Sequence, residues 1–354
     1  MQDQSARSFQ LTGFAKPLSE SVHPTPTPQG TEVLIRVKGA GVCHSDLHVQ
    51  DGHYDMGGGE QLSFEGRIKF PLTLGHETAG EVVSFGSEAQ GVTVGSNMLV
   101  CSWIGCGTCA TCLDGQDHLC ATPAFLGANK QGGYSDYVIV PHPRYLIEIG
   151  DLSPAVAAPL SCSGLTTYSA IRKFGSILDT VPLVIMGAGG LGMMAIGLLD
   201  KLNMPAPIIV EIDKVKREAA IAAGAAHAVD PTDDDAIAQI QKAVGQPVLA
   251  ILDLVGAGQT ATLAIQLVAK GGRIVVVGLL GGDVRIPVPM IPMKSMIIQG
   301  SYVGSPAELR ELVGIVLERG MPDVPLDCRP LDQADAALND LRAGKVLGRV
   351  VLIP

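Results

Sequence analysis

The sequence predicts an α/β protein that joins an irregular β-rich part to a doubly wound parallel sheet. After residue 150, apolar runs alternate with helix-like segments, the pattern of parallel strands that are buried on both faces. Before residue 150, short strand-like runs and Gly-rich turns prevail, and no helical pattern of convincing length stands out. The 354 residues include 43 glycines, which suits two domains with many tight turns.

The β-rich part starts after the proline-rich "HPTPTPQG" at 23–30. The next run, "TEVLIRVKGAGV", alternates apolar and polar residues as a half-buried strand does. We predict that 51–70 is a long polar loop with a hinge at Gly57, Gly58 and Gly59. Further strands are predicted at "AGEVVSFG", "NMLVCSW" and "YSDYVIVP".

The second part contains a series of short apolar runs that we predict to be strands: 181–187, 207–213, 226–230, 248–256 and 272–280. Helical segments lie between most of them, and Gly224 is the predicted C-cap of "KVKREAAIAAGA". After about residue 303 we predict one helix, "SPAELRELVGIVLERG", and a final strand, "GRVVLIP".

Composition and charge exclude several functions. The formal net charge of −10, without Lys/Arg clusters, argues against nucleic acid and anionic membranes as partners. The N-terminal "MQDQSARSFQ" has no apolar stretch typical of a secretory signal. Residues 180–199 are uncharged over nearly the length of a membrane span, but Pro182 and five glycines favour a strand, a turn and a buried helix. We therefore expect a cytoplasmic protein with reduced thiols.

A dinucleotide fingerprint begins the parallel-sheet part. Gly187, Gly189 and Gly192 form G-x-G-x-x-G between a predicted strand and a predicted helix. In that context the glycines let the backbone approach a pyrophosphate, and the helix N-terminus supplies N–H donors. We therefore predict a Rossmann cofactor domain.

An acidic residue is expected about 20 residues after the fingerprint, at the end of the second strand. Glu211 occupies that place and would accept hydrogen bonds from the adenosine ribose, which favours NAD over NADP. Asp213 is a rival for this role, and Lys214 and Lys216 would weaken the discrimination against a 2′-phosphate.

The run "CGTCATCLDGQDHLC" places four of the eight cysteines within residues 106–120. Disulfides fit poorly with reduced thiols, and ferredoxin-type clusters use a shorter last gap followed by proline. A closed tetrahedral zinc site fits, with His118 as an alternative ligand to one cysteine. Because such a site has no open position, we predict that it is structural, with four ligands: Cys106, Cys109, Cys112 and Cys120.

Three further potential metal ligands are scattered along the chain. Cys43 lies in "GVCHSDLH", His76 in "GHETAG" and Cys162 in "PLSCSG". Each alone would be an ordinary buried cysteine or a histidine with a local partner. They indicate a metal site only when all three are considered together.

Together these motifs resemble those of the zinc-dependent alcohol dehydrogenases of the medium-chain dehydrogenase/reductase superfamily, in the same order and over essentially the whole chain. The resemblance implies a GroES-like catalytic domain, residues 1–163 and 303–354, that holds both zinc sites. It also implies an NAD-binding Rossmann domain, residues 164–302.

The same resemblance implies roles near the catalytic zinc, whose ligands would be Cys43, His76 and Cys162. Asp46 would accept the other ring N–H of His76. Glu77 would lie behind the zinc and assist ligand exchange. Ser45 would hydrogen-bond the substrate oxygen, and His48 would end a proton relay that includes the cofactor ribose hydroxyls.

The resemblance further implies a cofactor site. Thr166 and Leu191 would touch the nicotinamide ring, Arg349 would reach the phosphates, and His44 would replace an arginine of some relatives at the pyrophosphate. The implied set is His44, Thr166, Gly187, Gly189, Gly190, Leu191, Gly192, Glu211, Lys216, Val277 and Arg349.

The implied activity is the reversible, NAD-dependent oxidation of a primary or secondary alcohol to an aldehyde or ketone, with one catalytic and one structural zinc per chain. The partner would be a small-molecule alcohol or aldehyde, and the assembly a homotetramer or homodimer. The alternatives are a polyol, sugar-alcohol or terpenoid alcohol dehydrogenase, or a non-catalytic binding relative. A zinc-finger nucleic-acid binder is disfavoured because 106–120 contains Asp114 and Asp117 but no Lys or Arg.

One segment departs from the family pattern. The stretch "YDMGGGEQLSFEGRIKF" is longer than in many bacterial relatives. It is either a cover of the cleft mouth that shapes alcohol preference or a surface loop without effect on the chemistry. In the first case, shortening 56–66 changes the ranking of alcohols.

Trp103, the single tryptophan, either lines the pocket or belongs to the core.

Overall fold

The computed structural model describes residues 5–354. Residues 1–4, which begin the stretch where we predict no secretory signal, lie outside the described residues. The elements of the β-rich part are β1 Ser5–Leu11, β2 Ser19–Pro24, β3 Val33–Gly41, α1 His44–Asp51, β4 His53–Gly57, β5 Glu60–Ser63, β6 Leu72–Thr73, β7 Glu77–Phe85, β8 Asn97–Val100, α2 Ala110–Leu113, β9 Tyr137–Val140, β10 Leu146–Glu148, α3 Pro154–Ala157 and α4 Ser163–Arg172.

The rest of the chain contains β11 Val184–Met186, α5 Gly190–Lys201, β12 Ile208–Val210, α6 Lys214–Ala222, β13 His227–Val229, α7 Ala236–Val244, β14 Ala250–Asp253, α8 Gly258–Leu267, β15 Arg273–Val276, α9 Met290–Lys294, β16 Ile297–Gly300, α10 Pro306–Arg319, β17 Leu326–Pro330, α11 Ala334–Arg342 and β18 Arg349–Ile353.

The main sheet of the β-rich part has the order β10-β8-β7-β3-β18-β17, and β9 also pairs with β3. Its pairs are antiparallel except β17 with β18. The chain end thus returns to the first part through β18. Buried Val33, Ile35 and Leu99 are among the side chains that fill its core.

The six-stranded parallel sheet has the order β13-β12-β11-β14-β15-β16, and helices connect its successive strands. The direction of strand addition reverses between β11 and β14, and ligands of such sheets bind beyond the strand ends at this point. The α/β fold class predicted from the sequence is confirmed.

Several predicted elements were wrong or missing. Helix α1 was not recognised because "HSDLHVQD" is polar nearly all round, and its buried residues include Asp46 and Gln50. Within the predicted 51–70 loop, β4 and β5 form a hairpin with Gly57, Gly58 and Gly59 at its tip. The chain after residue 303 contains β17 and α11 in addition to the predicted helix and strand, and β16 had not been predicted.

Within residues 5–354, no helix is both long and apolar enough to cross a membrane. The uncharged run at 180–199 divides into β11, a glycine turn and α5, as its proline and glycines predicted.

Candidate metal centres and cofactor site

Four buried side chains meet between β3, β7 and α4. Cys43 precedes α1, His76 immediately precedes β7, Glu77 is the first residue of β7, and Cys162 precedes α4. One ligand atom from each lies within 4.8 Å of those of the others. The structure therefore brings together the three scattered ligands named from the sequence, with Glu77 beside them.

The chemistry of this cluster fits a metal. The Nε2 atom of His76 is buried and has no hydrogen-bond partner, which leaves its lone pair available. A hydrogen bond from Cys162, opposed by burial, is the main cause that holds the pKa of the Cys43 thiol well below its usual value. Two thiol groups and one imidazole are ligands that zinc prefers, and they leave one position open for a substrate oxygen.

The Asp46 carboxylate holds the His76 ring and the Cys43 backbone in position. Its Oδ1 atom lies 3.1 Å from Nδ1 of His76 and accepts the backbone N–H of Gly75 at 3.3 Å. Its Oδ2 atom accepts the Cys43 N–H at 3.0 Å and the Tyr134 hydroxyl at 2.8 Å. Because Nδ1 faces a carboxylate, Nε2 is the nitrogen that points to the ligand position. Tyr134 was not found from the sequence, where nothing connects it to Asp46.

Glu77 links the metal cluster to the glycine turn through Arg349. The Glu77 carboxylate accepts the Ser163 N–H at 3.2 Å and forms a buried ion pair with Arg349. Burial raises the pKa of Glu77 to about 7, although the charge of Arg349 opposes the shift. A Cβ on Gly190 would lie 2.6 Å from Cδ of Arg349, so the arginine packs directly against the start of α5.

The residues predicted for the proton relay share helix α1. His44 and Ser45 lie on its first turn, next to Cys43, and His48 follows one turn later. The His48 ring lies 4.9 Å from the ring of Tyr54, measured between centroids. Burial lowers the pKa of His48, so this imidazole is neutral at pH 7 and can accept a proton.

The second cluster consists of the four thiols of the cysteine-rich run. The Sγ atoms of Cys106, Cys109, Cys112 and Cys120 all lie within 4.8 Å of one another, and none forms a disulfide. Hydrogen bonds from Thr108 and Cys109 lower the pKa of Cys106 to about 5, which favours the thiolate. This set matches a closed four-cysteine zinc site.

His118 and Asp117 flank the cysteine cluster. His118 is buried but is not among the residues whose ligand atoms converge there. The Asp117 carboxylate accepts hydrogen bonds from Arg144 at 2.6 Å and from the Tyr145 hydroxyl at 2.7 Å. These bonds attach the cysteine run to the chain after β9.

The glycine turn after β11 has the shape that a phosphate site needs. Gly187 adopts a left-handed φ of 96°, and Gly189 is the N-cap of α5. A Cβ on Gly192 would lie only 2.2 Å from the carbonyl oxygen of Gly187. The left-handed φ and the close approach explain why glycine is required at Gly187 and Gly192.

Glu211 and Asp213 have different roles at the end of β12. The Glu211 carboxylate accepts the N–H groups of Ala188 at 2.8 Å and of Asp213 at 3.0 Å, which places it beside the glycine turn. Asp213 instead caps α6 by accepting the Lys216 N–H at 3.1 Å. Arg217, not singled out from the sequence, donates to the Glu211 carbonyl at 2.7 Å.

Three further residues of the predicted cofactor set come from three segments, and the first two were predicted to touch the nicotinamide ring. Thr166 lies on α4, and its Oγ1 is 3.9 Å from Sγ of Cys162. Leu191 lies in the first turn of α5, and buried Val277 follows β15.

Two family models match the chain. Residues 29–151 match the "Alcohol dehydrogenase GroES-like domain", and residues 190–318 match the "Zinc-binding dehydrogenase" domain. An NAD-dependent alcohol dehydrogenase from Sulfurisphaera tokodaii is 36% identical over 98% of this chain and 100% of the relative. A D-arabinose 1-dehydrogenase (NADP(+)) from Saccharolobus solfataricus is 33% identical over 97% of this chain and 96% of the relative.

Solved structures are similar along the same length. The alcohol dehydrogenase of the archaeon Aeropyrum pernix superposes with a TM-score of 0.88 at 31% identity, covering 98% of this chain and 100% of that one. The D-arabinose dehydrogenase of Sulfolobus solfataricus superposes with a TM-score of 0.83 at 30% identity, covering 99% and 100%.

Proposed function

Since the chain belongs to the zinc-dependent alcohol dehydrogenases of the medium-chain dehydrogenase/reductase superfamily, we propose that it reversibly oxidises a primary or secondary alcohol with NAD. The observation that carries the proposal is the buried cluster of Cys43, His76 and Cys162, which the Glu77–Arg349 pair joins to the start of α5. The ion pair thereby connects the proposed zinc site with the glycine turn at which the cofactor would bind.

We propose Cys43, His76 and Cys162 as the ligands of a catalytic zinc, and Cys106, Cys109, Cys112 and Cys120 as the ligands of a structural zinc. When bound, the catalytic zinc supplies a Lewis acid for the alcohol oxygen, and NAD supplies the hydride acceptor. Asp46 fixes the His76 ring in the tautomer that presents Nε2 to the metal position.

Ser45 and His48 would move the alcohol proton. The Ser45 hydroxyl accepts the substrate hydrogen bond on the helix turn that follows Cys43. The proton would reach a ring nitrogen of the neutral His48 through the cofactor ribose hydroxyls and pass to water, because this side chain is only half-buried. Glu77 stays behind the cluster, where its Arg349 partner compensates its charge.

The cofactor would lie across the carboxyl ends of the parallel strands. The turn from Gly187 to Gly192, which includes Gly189, Gly190 and Leu191, would receive the pyrophosphate, and Glu211 would bind the adenosine ribose. Lys216 and Arg349 would offset the phosphate charge, and His44, whose pKa burial lowers, would meet the pyrophosphate as a neutral ring. Thr166 and Leu191 would line the nicotinamide site, and Val277 would complete the cofactor site.

Turnover tests the proposal directly. Purified protein with NAD should generate NADH absorbance with at least one member of a panel of primary, secondary and aryl alcohols. D-arabinose belongs in the panel as the second candidate substrate, because a D-arabinose 1-dehydrogenase is among the relatives. Absence of turnover on every alcohol and sugar, with zinc bound, would refute the assigned activity.

Glu211→Ser should lower the ratio of kcat/KM for NAD over NADP at least about tenfold, because the variant loses the ribose hydrogen bonds and the charge that repels a 2′-phosphate. Asp213→Asn is the matched control: it removes the neighbouring charge but keeps a residue that caps α6. An equal change in both variants would contradict the assignment to Glu211.

We propose that the chain forms a homodimer or homotetramer through the edge of the parallel sheet. Strand β16 lies at that edge, and apolar side chains in and beside it are exposed: Val288, Met293, Ile297 and Ile298. A second copy is the occupant that covers such an edge in a closed assembly.

Mass photometry tests this proposal. Met293→Glu should shift the protein to a smaller assembly, whereas Val22→Glu on exposed β2 should not. A monomeric wild-type protein would contradict the proposal.

Domain limits and compartment are also proposals. We place the catalytic domain at 1–163 and 303–354 and the Rossmann domain at 164–302; the parallel strands between Val184 and Gly300 and the β18–β3 pairing support this division. A cytoplasmic location is supported by the free state of all eight cysteines.

A further inference from the structure

An ion pair connects the ends of two neighbouring strands beside the proposed ribose site. Arg217 lies on α6, and its Nη1 atom lies 2.9 Å from Oδ2 of Asp230, the residue that follows β13. Strand β13 pairs with β12, and Glu211 continues this pairing by donating its N–H to the Val229 carbonyl at 3.1 Å. Because the two strands are parallel, Asp230 and Glu211 both lie at the carboxyl edge of the sheet, where the cofactor would bind.

The guanidinium of Arg217 also contacts the end of β12. The same Nη1 atom donates to the carbonyl oxygen of Glu211 at 2.7 Å and to that of Ile212 at 2.8 Å. These bonds fix a positive charge beside the backbone of Glu211, whose carboxylate we assign to the adenosine ribose. The Arg217 side chain keeps 19% of its surface exposed, so an anion at this edge can still contact it.

The turn after β13 holds the Asp230 carboxylate against Arg217. Oδ1 of Asp230 accepts the backbone N–H of Thr232 at 3.0 Å and the Thr232 hydroxyl at 2.6 Å, while Oδ2 faces Arg217. The hydrogen bonds from Thr232, and to a smaller extent the charge of Arg217, hold the pKa of Asp230 below its usual value. The carboxylate is therefore charged at pH 7 and compensates the charge of Arg217.

A 2′-phosphate on the adenosine ribose is the group that would compete for Arg217. An arginine near this strand end is the usual partner of such a phosphate, and the hydrogen bonds between the two are charge-assisted. In this chain the guanidinium is already paired, so a phosphate would have to displace the Asp230 carboxylate or approach it as a like charge. Glu211 thus repels the phosphate directly, while Asp230 occupies the cation that would attract it.

We propose that Asp230 is a positioning residue that reinforces the preference for NAD over NADP, and that it acts by holding the Arg217 guanidinium away from a 2′-phosphate. The inference rests on the proposed NAD site at Glu211. It implies that replacement of Glu211 alone leaves part of the discrimination in place, because Arg217 remains paired. Tight binding of the phosphorylated cofactor then requires that both carboxylates be replaced.

The test measures binding of ADP-ribose and of 2′-phospho-ADP-ribose to the full-length, zinc-loaded protein by isothermal titration calorimetry. The ratio of the two Kd values cancels any effect that is common to both ligands. Glu211→Ser should shift this ratio toward the phosphorylated ligand at least about tenfold. Glu211→Ser/Asp230→Asn should shift it about tenfold further, the order expected for a hydrogen bond between Arg217 and the phosphate. The asparagine keeps an oxygen that accepts from Thr232 but removes the charge.

Two further variants separate the role of Arg217 from a general change in charge. Asp235→Asn removes a negative charge from the same loop, where the Asp235 carboxylate accepts the Gln239 amide at 2.6 Å. Added to Glu211→Ser, it should change the ratio by less than about twofold, because solvent and salt screen an exposed charge. Arg217→Met, added to Glu211→Ser/Asp230→Asn, should remove the tenfold gain. Equal gains for Asp230→Asn and Asp235→Asn, or a gain that survives Arg217→Met, would overturn the inference.

Salt dependence gives a readout that does not need the Arg217 variant to fold. The additional affinity of Glu211→Ser/Asp230→Asn for the phosphorylated ligand should decrease as KCl is raised from about 50 mM to about 500 mM, because salt screens a partly exposed ion pair. A gain that is independent of salt would overturn the inference.

The inference and the proposed function fail in different ways. Turnover with NAD, together with equal Kd ratios for Glu211→Ser and Glu211→Ser/Asp230→Asn, would overturn the inference and leave the activity intact. A ratio that depends on Asp230 in a protein without turnover would support the inference and refute the activity. Wild-type protein that does not bind ADP-ribose would refute both.

Discussion

Cys43→Ala is expected to lower kcat/KM for alcohol oxidation at least about 1,000-fold, because loss of Lewis-acid stabilisation costs several kcal/mol of transition-state free energy. Of the proposed ligands the variant keeps one thiol and one imidazole, and the neighbouring Glu77 carboxylate is paired with Arg349, so zinc would be held less firmly. The measurements are the initial rate of NADH formation and the zinc content per chain.

Cys101→Ala is the matched control for Cys43→Ala. Cys101 is also buried, but burial raises its pKa to about 12 and its thiol lies outside both clusters. Its replacement should leave turnover and zinc content nearly unchanged. Substantial turnover by Cys43→Ala with full zinc content would show that Cys43 is not a ligand of the catalytic metal.

Cys109→Ala should lower the stability of the protein strongly but change turnover little, whereas Cys43→Ala should mainly lower turnover. It removes one of the four converging thiols and leaves the other three without the metal that they would have joined. We expect a loss of about 4 kcal/mol in the free energy of unfolding, which lowers Tm on the order of 10 °C. Differential scanning calorimetry measures this change.

The specific activity of the folded Cys109→Ala fraction, measured below its Tm, should stay within about threefold of wild type, because each step of hydride transfer is assigned elsewhere. Cys328→Ala, at an exposed cysteine of β17, controls for the substitution itself. A stable Cys109→Ala protein that has lost hydride transfer selectively would reverse the roles of the two clusters.

The parts of the fold that sequence reasoning predicted correctly, and the clusters that it expected to converge, lie in short segments of the chain. The glycine fingerprint lies in one turn and the four thiols lie within the fifteen residues 106–120, so the spacing of each motif already indicates which atoms converge. The apolar runs of the parallel strands are similarly local. The scattered ligands needed the family resemblance, because no spacing rule connects Cys43 to Cys162.

What could not be predicted depends on contacts between distant segments. The pairing of Glu77 with Arg349, and the Tyr134 hydroxyl on Asp46, exist only after β3, β7 and β18 have assembled. The position of the β4–β5 hairpin depends on the packing of its tip at Gly57 against Gly282 and Asp283, more than 200 residues further along the chain. Helix α1 was not predicted because it buries Asp46, whose carboxylate is stabilised by hydrogen bonds and not by apolar contacts.

One cluster is assigned to catalysis and the other to structure. The most direct test of this assignment is anomalous diffraction at the zinc absorption edge, with turnover measured on the same preparation. We predict one peak among Sγ of Cys43, Nε2 of His76 and Sγ of Cys162, and a second peak among the four thiols of 106–120. A fully active protein with zinc only among those four thiols would contradict the assignment of catalysis to the scattered ligands.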